Sequence, residues 1–206
     1  MNVAEWKLFD GDVAHVSTEA FHEHRERAPH WEQAVHRDRL EAAHTFVVMA
    51  AHELFADGRT HPTIVDLGCG DGGLVAALRD GKFNVYGYDF QPSNFMGHVE
   101  RGVAYCCFIM DFVAGWDEVV DADVYVMTEV LEHLTDPHSM LRRVRERNAI
   151  LIASSPYTEH AGSHDECHAW AWDQPGYREM IESAGFHVVD HVTAGGMFQV
   201  VRAVSA

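Results

Sequence analysis

Ile64-Val65-Asp66-Leu67-Gly68-Cys69-Gly70-Asp71-Gly72-Gly73, followed by Leu74-Val75-Ala76-Ala77-Leu78, decides how this chain folds. Apolar Ile64, Val65 and Leu67 read as a buried strand, the glycines as a tight turn, and the run after Gly73 as a helix start. Glycine lets the backbone approach a ligand closely, and the first turn of a helix offers N–H groups with no partner inside the helix. Asp66 is the unusual member, a carboxylate at the strand's end two residues before the first glycine. It would repel a pyrophosphate and attract a ligand bearing an ammonium or a sulfonium group. Gly68, Gly70 and Gly73 also satisfy the spacing of dinucleotide-binding turns, so the turn alone leaves both ligand types open.

The strands that follow carry more information. Asn84-Val85-Tyr86-Gly87-Tyr88-Asp89 ends in a carboxylate 21 positions beyond Gly68, suited to accept both hydroxyls of an adenosine ribose. Ala104 to Met110 ends in Asp111-Phe112. A lone Asp there would read as a turn residue, but a third acidic strand end favours a ligand contact. Asp123 to Met127 then runs into Thr128-Glu129-Val130-Leu131-Glu132-His133-Leu134-Thr135-Asp136-Pro137.

Two of these segments resemble class I S-adenosylmethionine-dependent methyltransferases. Asp66, Gly68, Gly70 and Gly72 fill that family's first motif, and Glu129 to Pro137 resembles its Glu-x-Leu-Glu-His-x-x-Asp-Pro run. The resemblance implies a Rossmann-like α/β fold, with a mostly parallel seven-stranded sheet closed by a terminal antiparallel hairpin and preceded by N-terminal helices. It implies S-adenosylmethionine as cofactor and S-adenosylhomocysteine as product. The cofactor contacts implied are Asp66, Gly68, Cys69, Gly70, Gly72, Asp89, Phe90, Asp111, Phe112, Thr128 and Glu129. In that family the Asp matching Asp111 accepts from the adenine amino group, and the residue after it supplies a backbone amide to the ring.

Residues 1–60 show no strand character and read as a helical segment packed on a core of residues 61–206. Ser17-Thr18-Glu19-Ala20 looks like a helix start, Pro29 ends that helix, and a second runs from about Trp31 to Phe55. Its Leu40, Ala43, Val47, Ala50 and Leu54 form one apolar stripe. Further helices are expected over Gly73 to Asp80, Pro92 to Glu100, Pro137 to Glu146 and Gln174 to Ala184. Ala149 to Ser155 reads as a strand, and Phe186 to His191 with Met197 to Val204 as a hairpin around Gly195-Gly196.

With 206 residues, 47% apolar and 23% charged, the chain reads as one globular domain. No apolar run reaches the roughly 20 residues of a membrane span. Cys69, Cys106, Cys107 and Cys167 show no paired spacing, which fits reduced thiols in a cytoplasm. Acids outnumber bases 32 to 15 for a net charge of −17, which disfavours extended nucleic-acid binding; His36-Arg37-Asp38-Arg39 is the best local exception. The expected partner is a small-molecule acceptor, on a monomer or homodimer with no membrane attachment.

The acceptor side is expected after the fourth and fifth strands. Glu132, His133 and His168 are the candidate catalytic residues, with His133 or His168 as base because imidazole titrates nearest neutral pH. Glu129-x-x-Glu132-His133 with a later His also resembles the metal site of small-RNA 2′-O-methyltransferases, which implies Glu129, Glu132, His133 and His168 as ligands of a divalent ion. The same run occurs in enzymes without metal, and the acidic chain argues against an RNA end, so a metal is not expected. Trp170, Trp172 and Tyr157 fit a core better than an acceptor wall. No Asn/Asp-Pro-Pro-Tyr follows the fourth strand and no Pro precedes a Cys, which sets aside exocyclic base amines and cytosine C5. An O or N atom of a small molecule is the leading acceptor. The other classes considered are a nicotinamide oxidoreductase and a catalytically silent adenosyl-binding protein.

Overall fold

In the computed structural model, which describes residues 4–8, 22–79, 81 and 83–206, period-two alternation along the central strands sorts side chains onto two faces of one sheet. Strands β1 (Glu5–Lys7), β2 (Thr63–Leu67), β3 (Asn84–Asp89), β4 (Cys107–Ile109), β5 (Val124–Thr128), β6 (Ile150–Pro156), β7 (Trp170–Trp172), β8 (Phe186–Ala194) and β9 (Phe198–Ser205) are interspersed, among the described residues, with helices. These are α1 (Ala34–Ala56), α2 (Gly73–Leu78), α3 (Phe95–Glu100), α4 (Pro137–Glu146) and α5 (Gln174–Ser183). Ile64, Val124, Val126 and Ile152 face Leu40, Ala43, Val47 and Ala50 of α1, with Leu74 and Leu78 of α2. Val65, Leu67, Tyr125, Met127 and Leu151 face the other way, onto Leu141 and Val144 of α4 and Tyr177 and Ile181 of α5. All of these bury nearly completely, which supplies the main driving force for the layers.

The seven-stranded sheet has the order β4-β3-β2-β5-β6-β9-β8, parallel except for β9, which runs antiparallel to both β6 and β8. This is the mostly parallel sheet with a terminal hairpin that the motifs imply. The order reverses between β2 and β5, so their carboxyl ends open a crevice at the switch point. Helix starts hold the flanks. Asp136 Oδ1 accepts from Ser139 N at 2.8 Å to cap α4, and Asp173 Oδ1 accepts from Gly176 N at 2.7 Å to cap α5.

Four expectations shift. The helix expected from Trp31 is a 3-10 turn at His30–Glu32, and α1 begins only after Gln33, whose backbone is extended. The helix expected over Pro92 to Glu100 opens with a 3-10 turn at Pro92–Asn94 before α3. The strand expected over Ala104 to Met110 shortens to Cys107–Ile109, because Val103 O accepts from the amides of Cys106 and Cys107 and turns the chain first. β1 pairs antiparallel with β7, Trp6 opposite Ala171, an element no local pattern announced. Ser17 to Ala20 lies outside the described residues. Among the described residues no helix is long and apolar enough to cross a membrane, and the four cysteines are free thiols.

Candidate active site

The glycine turn is held by hydrogen bonds from both sides. Gly68 N and Cys69 N donate to Tyr88 O, at 2.7 and 3.0 Å, which ties the turn to β3. Gly68 has φ +74°, and a Cβ there would overlap Val130 Cγ2, so only glycine fits. Asp89 closes the arrangement: Oδ2 accepts from Gly70 N at 2.9 Å, and Oδ1 from Gln91 N at 2.8 Å and Asn94 Nδ2 at 3.0 Å. Its carboxylate is thereby fixed in direction before any ligand arrives.

These elements open onto a cavity of about 750 Å3 at the switch point. Gly68, Gly70, Asp89, Phe90, Asp111, Phe112, Thr128 and Glu129 line it, as do His133 and His168. Asp66, Cys69, Gly72 and Glu132 do not. Asp111 lies at the rim, where Oδ1 also accepts from Val113 N at 2.9 Å and Ala114 N at 3.2 Å, so it opens a turn and faces the cavity at once. Cys69 turns its thiol away toward His98 and Cys107, and the contact with Cys107, then burial, pushes that thiol well above its ordinary range.

Asp66 sits one layer deeper, 2% exposed, in a chamber of about 30 Å3 shared with His30, Arg39, Gly68 and Thr128. Burial, then the nearby Asp89, pushes its carboxyl up to about 8, against the pull of Arg39. Its Oδ1 has no hydrogen-bond partner. Even with Arg39 in the chamber, Asp66 is therefore mostly a neutral acid at pH 7 rather than the open carboxylate that the sequence suggests.

The opposite half of the cavity is assembled from three distant segments. Glu129, at φ +58°, directs its carboxyl back toward β6, where Oε1 accepts from Ser154 Oγ at 3.1 Å and lies 3.6 Å from Arg39 Nη1. Glu132 is fully buried beneath it, with no donor on either carboxyl oxygen and the Glu129 carboxyl as its close neighbour. Burial, then Glu129, pushes its carboxyl well above the usual range. The rings of His133 and His168 meet edge to face, centroids 4.7 Å apart. The ligand atoms of Glu132, His133 and His168 lie within 4.8 Å of one another.

Both imidazoles have a fixed tautomer. His133 Nδ1 lies 3.0 Å from the carbonyl oxygen of Cys167, which can only accept, so Nδ1 carries the proton. His168 Nδ1 lies 2.6 Å from Glu159 Oε2, with the same consequence. In its neutral form each ring therefore bears its lone pair on Nε2. Burial, then His168, holds His133 down to about 3, so it stays neutral throughout the physiological range. That makes it a feeble proton acceptor and a sound neutral ligand.

The N-terminal segment supplies residues that the sequence did not single out. His22, Arg25, Glu26, His30 and His36 line the cavity, with the rings of His30 and His36 stacked at 4.3 Å. Burial lowers His30 to about 3 and His36 to about 4, the positive charge of Arg39 adding to both. Arg39 is 1% exposed, with its guanidinium 5.1 Å from the Phe198 ring, so His36 to Arg39 is no phosphate-binding patch. Its signal was legible: Arg39, Ala43 and Val47 stand four apart, which places a charge on the apolar stripe. Trp170 and Trp172 lie outside the cavity, stacked 6.2 Å apart, and Trp172 Nε1 donates to Glu5 Oε2 at 2.7 Å. Tyr157 also lies outside and donates to Gly196 O at 3.1 Å. Of the loop histidines, only His168 reaches the cluster; His160 packs against Trp6 and His164 Nδ1 bonds Asp165 O.

A sequence model of the family described as a methyltransferase domain matches residues 21–191. No curated protein sequence gives a significant match. Solved structures share the fold at low identity. Magnesium protoporphyrin IX methyltransferase from Synechocystis PCC 6803 with bound SAH is 16% identical over 93% of this chain and 97% of its own, with a TM-score of 0.61. The cyclase SpnF is 14% identical over 80% and 82%, with a TM-score of 0.59. An O-methyltransferase family 2 protein from Planctomyces limnophilus DSM 3776, in complex with apigenin, is 14% identical over 72% and 52%, with a TM-score of 0.57.

Proposed function

Because this chain belongs to the methyltransferase-domain family, enzymes dependent on S-adenosylmethionine and built on the class I sheet, we propose that it moves the cofactor's methyl group to an oxygen or nitrogen of a small molecule bound beside His133 and His168. The observation that carries this reading is the division of one cavity into two unlike halves. One half holds a pinned glycine turn and strand-end carboxylates suited to adenosine. The other holds two imidazoles whose Nδ1 atoms are each fixed by an acceptor. The cyclase SpnF shows that the fold alone does not fix the chemistry, so the weight rests on the site.

In this reading Asp89, Asp111 and Phe112 take the adenosine. Asp66 ionises when the cofactor's ammonium group comes near, its Oδ1 having no hydrogen-bond partner to displace. Methyl transfer is an in-line displacement on a carbon already activated by the sulfonium, so alignment and proton removal are the enzyme's tasks. His168 is the better base of the two, because Glu159 Oε2 holds its Nδ1 and orients the ring, while burial disfavours the protonated form of His133.

A second reading is favoured by one observation, the buried Glu132 carboxyl, which has another carboxyl beside it and no donor on either oxygen, within reach of the imidazoles of His133 and His168. Buried carboxyls without partners are costly, and a carboxylate with two imidazoles is a donor set for a divalent transition metal. Glu132, His133 and His168 would hold the ion, which would acidify an acceptor hydroxyl. Glu129 falls outside this set, being held by Arg39 and Ser154.

The test is S-adenosylhomocysteine formation from labelled cofactor against panels of small O- and N-nucleophiles and of short RNAs, with and without added Mn(II) or Zn(II). Turnover on a small molecule supports the first reading. Turnover on RNA ends alone contradicts it, and a strict need for metal moves the mechanism to the second.

A further inference from the structure

Glu159 lies in the loop after β6 at the cavity wall, behind His168, and both its oxygens are committed. Oε2 accepts from His168 Nδ1 at 2.6 Å, and Oε1 accepts from Asp165 N at 3.1 Å. The residues between form a short, closed scaffold. Asp165 Oδ1 accepts from Cys167 N at 2.8 Å, and Asp165 O accepts from His168 N at 3.1 Å. His160 and Ser163 exchange backbone hydrogen bonds across the turn. The carbonyl of Cys167, presented by that scaffold, is the group that fixes His133. One carboxylate thus closes the loop and, through it, orients both imidazoles.

We infer that Glu159 is a positioning residue that locks His168 as its Nδ1–H tautomer, so that Nε2 joins Glu132 and His133 as the third donor of a divalent-ion site. The inference rests on the second reading above. An imidazole ligand whose far nitrogen donates to a carboxylate is held in rotation and in tautomer, and loss of such a partner costs metal affinity about ten- to a hundredfold.

The carboxylate is required because both of its contacts are donors. Asp165 N is a backbone amide and can only donate, so in Glu159→Gln the amide oxygen stays there and the amide nitrogen faces His168. An amide N–H opposite Nδ1 forces the His168 proton onto Nε2 and removes the lone pair. Glu159→Ala leaves His168 able to donate to water instead. Glu159→Gln is therefore the more damaging change at the site although it keeps the loop closed. A purely structural role for Glu159 gives the reverse order.

Chelator-stripped full-length protein is titrated with Co(II), read by visible absorption and calorimetry, for the wild type, Glu159→Gln, Glu159→Ala and His168→Gln. Histidine-labelled protein gives nitrogen NMR shifts that report each tautomer without metal. The expected result is Co(II) binding by the wild type, about ten- to a hundredfold weaker in Glu159→Gln, less affected in Glu159→Ala and lost in His168→Gln. His168 should be unprotonated at Nε2 in the wild type and protonated there in Glu159→Gln. Equal Co(II) affinity in Glu159→Gln, or an unchanged tautomer, overturns the role of Glu159. A wild type that takes up no Co(II) but shows the tautomer exchange overturns the ion and leaves Glu159 orienting a base.

Discussion

The two halves of the cavity differ in how their polar groups are employed. Around the glycine turn the protein satisfies its own rim: Asp89 accepts from three N–H groups and Tyr88 O from two. Below that rim Asp66 Oδ1 and Arg39 Nε and Nη1 are buried with no hydrogen-bond partner, and so beneath the acceptor half are Glu132 Oε1 and Oε2, Ser155 Oγ and Tyr177 OH. Each such group costs on the order of 1–3 kcal/mol if it stays that way, more for a charge. The lesson is that the rim of the first half is set in advance, whereas Asp66 below it and the second half are completed by what binds.

The largest effect expected from that contrast is at Gly68. Gly68→Val puts a branched side chain at φ +74° into the space of Val130 and should abolish S-adenosylmethionine binding, read by calorimetry, with circular dichroism to check the fold. Next is the acceptor half. His168→Gln should leave cofactor affinity intact and lower turnover by about 10²–10⁴-fold, so a matching loss of affinity would erase the distinction between the halves. Asp89→Ala removes the acceptor for Gly70, Gln91 and Asn94. It should weaken the cofactor about ten- to a hundredfold and lower the melting temperature by several degrees.

A smaller effect is carried by pH. Folded Asp66 keeps its proton to about pH 8, whereas the unfolded residue releases it near its ordinary value of 3.8. Between those values the folded state holds the extra proton, so this group's contribution to stability falls as pH rises through the window. Asp66→Asn should flatten that fall and raise the melting temperature near pH 8. Cofactor affinity should rise with pH up to about 8 in the wild type and lose this rise in Asp66→Asn. The smallest effect is at Trp170, which stacks on Trp172 outside the cavity; Trp170→Leu should leave turnover unchanged in the same assay.

The glycine-turn half of the cavity was legible because its information is local. Asp66, Gly68 and Gly70 lie within one turn, and Asp89 and Asp111 are marked by ending apolar strands. The acceptor half was legible only in part. Glu132, His133 and His168 were named from a motif, but their partners were not, because Glu159 and the carbonyl of Cys167 act through a loop without periodicity. His22, His30 and His36 share no helix face, and only folding of the N-terminal segment brings them onto the same cavity. Pairing of β1 with β7, Glu5 opposite Trp172, spans nearly the whole chain and has no local signature.

Calorimetric titration of the full-length protein with S-adenosylmethionine, S-adenosylhomocysteine and NAD, side by side at pH 8, bears most directly on the idea that this crevice holds a cationic adenosine derivative. Clear heat with the first two, none with NAD, and loss of the signal in Gly68→Val is the expected result. Heat with NAD and silence with both adenosyl compounds would contradict it.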